Sequence, residues 1–131
     1  MPEEKKLKIG VVGPCGAGKS TLVNALAEQG YYARHIAQEH SYVPSMWKRI
    51  VNPDILIYLD ASFLVSTERR KLDWRLDEYE EQLKRLDNAR EHANLFINTD
   101  LLTPEQVLER VLLYISATGA YQNGQADNSL V

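Results

Sequence analysis

The chain has a single cysteine, Cys15, among 131 residues. One cysteine builds no disulfide framework, and a reducing cytoplasm is the expected compartment. Long apolar runs are missing too: nothing approaches the roughly 20 residues that a membrane helix needs. The opening Met1-Pro2-Glu3-Glu4-Lys5-Lys6 is charged and the apolar stretch after it is short, so no secretory leader is expected. No charge sign dominates. The 15 Lys and Arg are mixed along the chain with 18 Asp and Glu, for a net charge of −3, which argues against a nucleic-acid partner. His35, His40 and His92 show no metal-ligand spacing with Cys15 or with each other, so surface or loop roles are expected for them. No internal repeat is visible.

What is present is an ordinary globular composition, 44% apolar and 25% charged. The length fits one domain that buries its own core. We place that domain at residues 1–118. Residues 119–131, rich in Gly, Gln, Asn, Asp and Ser, are expected to form a disordered tail.

One stretch carries chemistry. Gly13-Pro14-Cys15-Gly16-Ala17-Gly18-Lys19-Ser20-Thr21 fits G-x-x-x-x-G-K-[ST] at every defined position. The flanks agree with it. Leu7 to Val12 is a short apolar run suited to a buried strand, and Thr21 to Gln29 reads as a helix stopped by Gly30. Glycines let backbone N–H groups approach an anion, and the new helix adds its positive end. In this pattern Lys19 reaches the β- and γ-phosphates of a nucleoside triphosphate, Ser20 places its hydroxyl on Mg²⁺, and Thr21 is placed for the α-phosphate. Cys15, near a helix start, is either an activated thiol or a small residue tolerated in a turn.

The rest of the chain alternates strand and helix. Tyr31 to Ala37 is a second strand, Gln38 to Pro44 a loop, and Ser45 to Val51 one or two helical turns ended by Asn52-Pro53. Asp54 to Asp60 is continuously apolar between two acids, as a strand covered on both faces should be. Ser62 can cap a helix through Arg70. Leu76, Tyr79, Leu83, Leu86 and Ala89 recur at helical spacing, supported by the four-apart pairs Glu80–Lys84 and Glu81–Arg85. Asn94 to Thr99 is a last strand. Thr103-Pro104-Glu105-Gln106 opens a final helix with a capping box. The sum is an α/β fold with a short, mainly parallel sheet of about four strands flanked by helices. Trp47 and Trp74 either stack on a ligand or pack at the core and its edges.

Four passages resemble the P-loop nucleoside triphosphate hydrolases, and within them the small nucleotide and metabolite kinases: the glycine loop, Asp54 to Ser62, Glu68-Arg69-Arg70, and Ala93 to Asp100 with Thr103 to Val107. They span most of residues 7–116. The resemblance implies the three-layer fold of that superfamily, Mg-ATP as cofactor, and an arginine-bearing mobile lid with Arg69, Arg70 or Arg75 acting on the transferred phosphate. It puts the base at the turn Asn98 to Leu102. The acceptor segment such kinases carry is reduced here to about Glu39 to Val51. No separate Walker B strand is visible. Either the strand at Tyr31 to Ala37 takes its place, with Gln38 or Glu39 at its end, or the acid is lacking. Glu39 is also a candidate base for an acceptor hydroxyl or a water, or else a solvated loop acid. The guanine motif Asn-Lys-x-Asp is absent, which favours adenine. Three readings follow: a compact ATP-dependent phosphotransferase with an unknown small acceptor, an ATP-hydrolysing or ATP-sensing module read by a partner protein, and a nucleotide-binding domain without catalysis.

Overall fold

The structure is a computed structural model that describes residues 7–70 and 73–118. Four strands form one sheet: β1 (Lys8–Val12), β2 (Tyr32–His35), β3 (Ile55–Asp60) and β4 (Leu95–Asn98). Their spatial order is β2-β1-β3-β4, and every neighbouring pair is parallel. The helices are α1 (Lys19–Glu28), α2 (Met46–Ile50), α3 (Phe63–Arg70), α4 (Leu76–His92) and α5 (Pro104–Thr118). A 3₁₀ turn at Gln38–His40 follows β2. The expected α/β architecture, parallel and four-stranded, is present. The second strand is shorter than Tyr31 to Ala37, because the chain turns away from β1 after Ile36 donates its N–H to Val11.

Two apolar clusters hold the sheet between helices. On one face Ile9, Val11, Ile55, Ile57, Leu59 and Ile97 pack against Leu22 and Leu26 of α1 and Val107, Val111 and Ile115 of α5. On the other, Val12, Leu56 and Tyr58 meet Trp47 and Val51, the latter just after α2, and Leu86 and Ala89 of α4. β3 contributes to both faces and is buried almost throughout, which explains its unbroken apolar sequence. Truncating a fully buried residue such as Leu59 to alanine removes about 2–5 kcal/mol.

The ends of the elements follow the local sequence. At the end of α1, Gly30 takes φ 91° and donates to Ala27, while Tyr31 donates to Leu26. This is the paired closure that a left-handed residue after a helix permits. Thr103 and Gln106 exchange side-chain and backbone bonds at 3.1 and 2.9 Å, the capping box that starts α5. The Ser62 hydroxyl caps α3 by accepting the Val65 N–H. On α4, Glu81 and Arg85 pair at 3.4 Å, whereas Glu80 and Lys84 form no ion pair. Residues 119–131, expected to be a disordered tail, lie outside the described residues.

Topology fixes where a ligand can sit. The chain leaves β1 toward β2 on one side and leaves β3 toward β4 on the other. The carboxyl ends of β1 and β3 therefore border a crevice, the place where open parallel sheets bind ligands.

Candidate functional site

Residues 13–18 leave β1 at that crevice and lead into α1. Gly13 adopts φ 151° and Gly16 φ 84°. A Cβ at Gly13 would collide with the Leu59 carbonyl, and one at Gly16 would lie 2.7 Å from Ser66. Both positions thus need glycine for conformation and for close approach to β3 and α3. The N–H groups of Gly16 and Gly18 find no acceptor among the described residues. The first N–H groups of α1 lack intrahelical partners by helix geometry.

Lys19 turns back beneath this loop. Its ammonium donates to the carbonyls of Gly13 (2.7 Å) and Pro14 (3.0 Å) and pairs with Glu39 Oε2 at 3.0 Å. Three acceptors use its three protons. The side chains of Lys19 and Glu39 are only 5% and 3% exposed. Glu39 Oε1 is buried with no hydrogen-bond partner.

Glu39 is held there by its neighbour. Gln38 is completely buried; its amide donates to Val43 and Arg85 carbonyls and accepts the Trp47 N–H. Of the two acceptor candidates after the second strand, Gln38 is therefore consumed in anchoring the turn, and Glu39 faces Lys19. Arg85 adds to the anchor: it donates to the Glu39 carbonyl and lies over the Tyr42 ring, 4.4 Å from its centre.

A cavity of about 520 Å³ opens over the loop. Cys15 to Leu22 form one wall, including the exposed Ser20 and Thr21. His35, Glu39 and His40 form a second wall, and Thr99, Leu102, Pro104 and Val107 a third, largely apolar one. Desolvation, reinforced by the Lys19 charge, holds the His35 imidazole below its ordinary pKa of 6.5, against the opposing pull of Glu39.

Arg69 reaches the site from α3. Its guanidinium donates to the Gly16 carbonyl at 3.3 Å, the Thr99 hydroxyl at 2.8 Å, and the carbonyls of Thr99 and Asp100. It ties the loop to the end of β4. Arg75, the third lid candidate, pairs on the surface with Asp77 at 2.9 Å. The Arg70 side chain lies outside the described residues. Trp47 and Trp74 pack rather than line the cavity. Trp47 is buried, with its indole N–H on Asn88; Trp74 stacks near Phe63 and Tyr79 and donates to Thr67.

Three contributors escape the sequence patterns. Gln82 on α4 clamps Cys15 twice: Oε1 accepts the Cys15 N–H at 3.0 Å, and Nε2 donates to Sγ at 3.3 Å. The available signal was a polar residue inside the stripe of Tyr79, Leu86 and Ala89. Thr99 is buried and can donate its one hydroxyl proton to Ala17 or Asp60, both at 3.1 Å, which links β3, β4 and the loop. The third is the approach of His40 to Cys15. Its Nε2 lies 3.7 Å from Cys15 Sγ, with Glu39 beside both. Folding thus assembles a cluster that linear spacing conceals, although His40 stays exposed, as expected of a loop histidine.

No protein-family model matches the chain, and no curated protein matches it significantly. Among the described residues, no helix is long and apolar enough to cross a membrane.

Proposed function

We propose that the chain binds Mg-ATP at residues 13–21 and transfers its terminal phosphoryl group to a small acceptor. The observation that carries this reading is the buried Lys19–Glu39 pair at a cavity bordered by an open glycine loop. The residues present suit the ligand. Gly16 and Gly18 offer free N–H groups, Ser20 and Thr21 are exposed on the cavity wall, and the cavity falls within the roughly 300–1,000 Å³ of small-molecule sites. Ser20 would hold Mg²⁺, which when bound supplies charge neutralisation on the phosphates.

The chain's own groups then have separate tasks. Lys19 leaves Glu39 and the loop carbonyls to meet the β- and γ-phosphates, exchanging one anion for another. Glu39, released from Lys19, accepts the proton of the acceptor hydroxyl. His35, Ala37 and His40 border the space where that acceptor lies. The apolar wall of Leu102, Pro104 and Val107 receives the base, next to the turn to which the kinase resemblance assigns it. Arg69 sets the loop through backbone carbonyls.

That engagement of Arg69 favours a second reading. An arginine already bonded to four groups is not free to follow a transferred phosphate. An ATP-hydrolysing or ATP-sensing module, read by a partner protein, needs no such arginine. Purified protein incubated with ATP, Mg²⁺ and a metabolite library separates the two. Phosphoryl transfer to one acceptor supports the first; slow hydrolysis indifferent to acceptors supports the second. Absence of ATP binding overturns both.

A further inference from the structure

Cys15, Glu39 and His40 each bring one ligand-type atom into a group whose members all lie within 4.8 Å of one another. We propose that these three side chains form a binding site for a borderline-soft divalent transition metal of the zinc class, separate in chemistry from any Mg²⁺ bound with phosphate.

The spacing is that of a coordination sphere. Tetrahedral bonds of zinc to sulfur, nitrogen and oxygen put the donor atoms about 3.3–3.6 Å apart. Here Cys15 Sγ and His40 Nε2 are 3.7 Å apart, and His40 Nε2 and Glu39 Oε2 are also 3.7 Å apart. Both separations that involve His40 are thus a few tenths of an ångström too long, and His40, with a 59% exposed side chain, is free to close them, while Cys15 Sγ and the Glu39 carboxylate lie within 4.8 Å of each other.

Two further observations point to a ligand. The first is Glu39 Oε1, buried and without a hydrogen-bond partner. A buried carboxylate oxygen left bare costs on the order of 1–3 kcal/mol. Lys19 holds Oε2, the oxygen that faces His40, so a metal in the cluster would meet the carboxylate through Oε2, shared with Lys19, or through the unpartnered Oε1. The second is Gln82. Its side-chain N–H donates to Cys15 Sγ and its carbonyl fixes the Cys15 backbone. A donor aimed at sulfur orients it as outer partners of metal ligands do. On binding, the Cys15 thiol proton leaves to solvent and the S–metal bond replaces S–H.

The donor set selects the ion. Thiolate and imidazole suit zinc, cobalt and copper, whereas Mg²⁺ takes oxygen ligands. Three protein ligands leave a fourth position, and all three line the cavity. That position is open to water or to a phosphate oxygen.

The test is titration of the reduced, metal-free protein with Co²⁺, followed by displacement with Zn²⁺. The expected result is a thiolate-to-cobalt charge-transfer band with tetrahedral ligand-field intensity. Cys15→Ser should abolish that band, and His40→Ala should weaken Zn²⁺ binding by at least about tenfold. A weak octahedral spectrum without charge transfer, or unchanged Zn²⁺ affinity in both variants, overturns the site. Mg-ATP binding by the same metal-free protein is measured separately. Intact ATP binding without the cobalt signal rejects this inference alone, and the reverse rejects the nucleotide reading alone.

Discussion

Lys19 Nζ and Glu39 Oε2 lie 3.0 Å apart, with both side chains almost wholly removed from solvent. They come from elements twenty residues apart in sequence: Lys19 opens α1, and Glu39 sits in the turn after β2. The parallel pairing of β2 with β1 puts that turn beside the loop. In the proposed reading a phosphate takes this lysine, which the pair now occupies. Ligand binding at this loop therefore requires a rearrangement of Lys19.

The first prediction follows from that burial. Lys19→Met strands the Glu39 carboxylate in the interior, and breaking a buried pair from one side costs about 3–5 kcal/mol. Replacing both, Lys19→Met with Glu39→Leu, should recover most of the loss, because no buried charge remains. Urea unfolding of the single and double variants checks this. Equal stability of the two would show that the pair is already hydrated. ATP affinity is best compared in the Glu39→Gln background. There Lys19→Met should lower affinity by about 1.5–3 kcal/mol without the stability penalty.

Gln38 should matter to stability more than its surface-loop sequence suggests. Gln38→Leu leaves the Trp47 N–H and the Val43 carbonyl without their partner. Each such group costs about 1–3 kcal/mol, so a loss on the order of 3 kcal/mol is expected by chemical denaturation. A loss under about 0.5 kcal/mol would mean that water substitutes for the amide.

Arg69→Lys should destabilise the loop rather than remove a reacting group. A lysine cannot serve the carbonyls of Gly16, Thr99 and Asp100 together. We expect KM for ATP to rise several-fold and the melting temperature to fall, with kcat changing least. A tenfold fall in kcat at unchanged KM would assign Arg69 to the transferred phosphate instead.

His35 links the site to pH. Its pKa lies below 6.5 in the folded chain, so its contribution to stability is present above 6.5 and is lost as pH falls through the folded value. An anion bound in the cavity favours the protonated ring and raises that pKa. ATP binding near pH 6.5 should therefore take up protons. Calorimetry in buffers of different ionisation enthalpy measures the uptake, and His35→Asn should reduce it. Identical uptake in the variant would place the titrating group elsewhere.

Base selectivity should be weak or should favour adenine. Among the described residues, Glu39 is the only carboxylate lining the cavity, and it lies against Lys19 rather than the apolar wall. Guanine needs an acceptor for its N–H groups, and Leu102, Pro104 and Val107 offer no acidic side chain. Competition between ATP and GTP tests this. A tenfold preference for GTP would contradict the assignment of the base to that wall.

The sequence by itself determined the local elements. Gly30 had to end α1, Thr103 and Gln106 had to start α5, and the apolar run of β3 had to be buried on two faces, because each depends on residues within a few positions. The glycine loop was legible for the same reason: its pattern, helix and preceding strand are contiguous. Only the tertiary structure decided what surrounds Lys19. Strand order is set by how apolar faces pack across the whole sheet, and that order brings Glu39 to Lys19, His40 to Cys15 and Gln82 to the loop backbone. The kinase resemblance made Arg69 a lid residue; the fold docks it on Thr99, thirty residues away, because β4 ends where α3 passes. Contacts between distant segments leave no periodicity in the chain, and side-chain chemistry alone does not say which buried carbonyl an arginine will find.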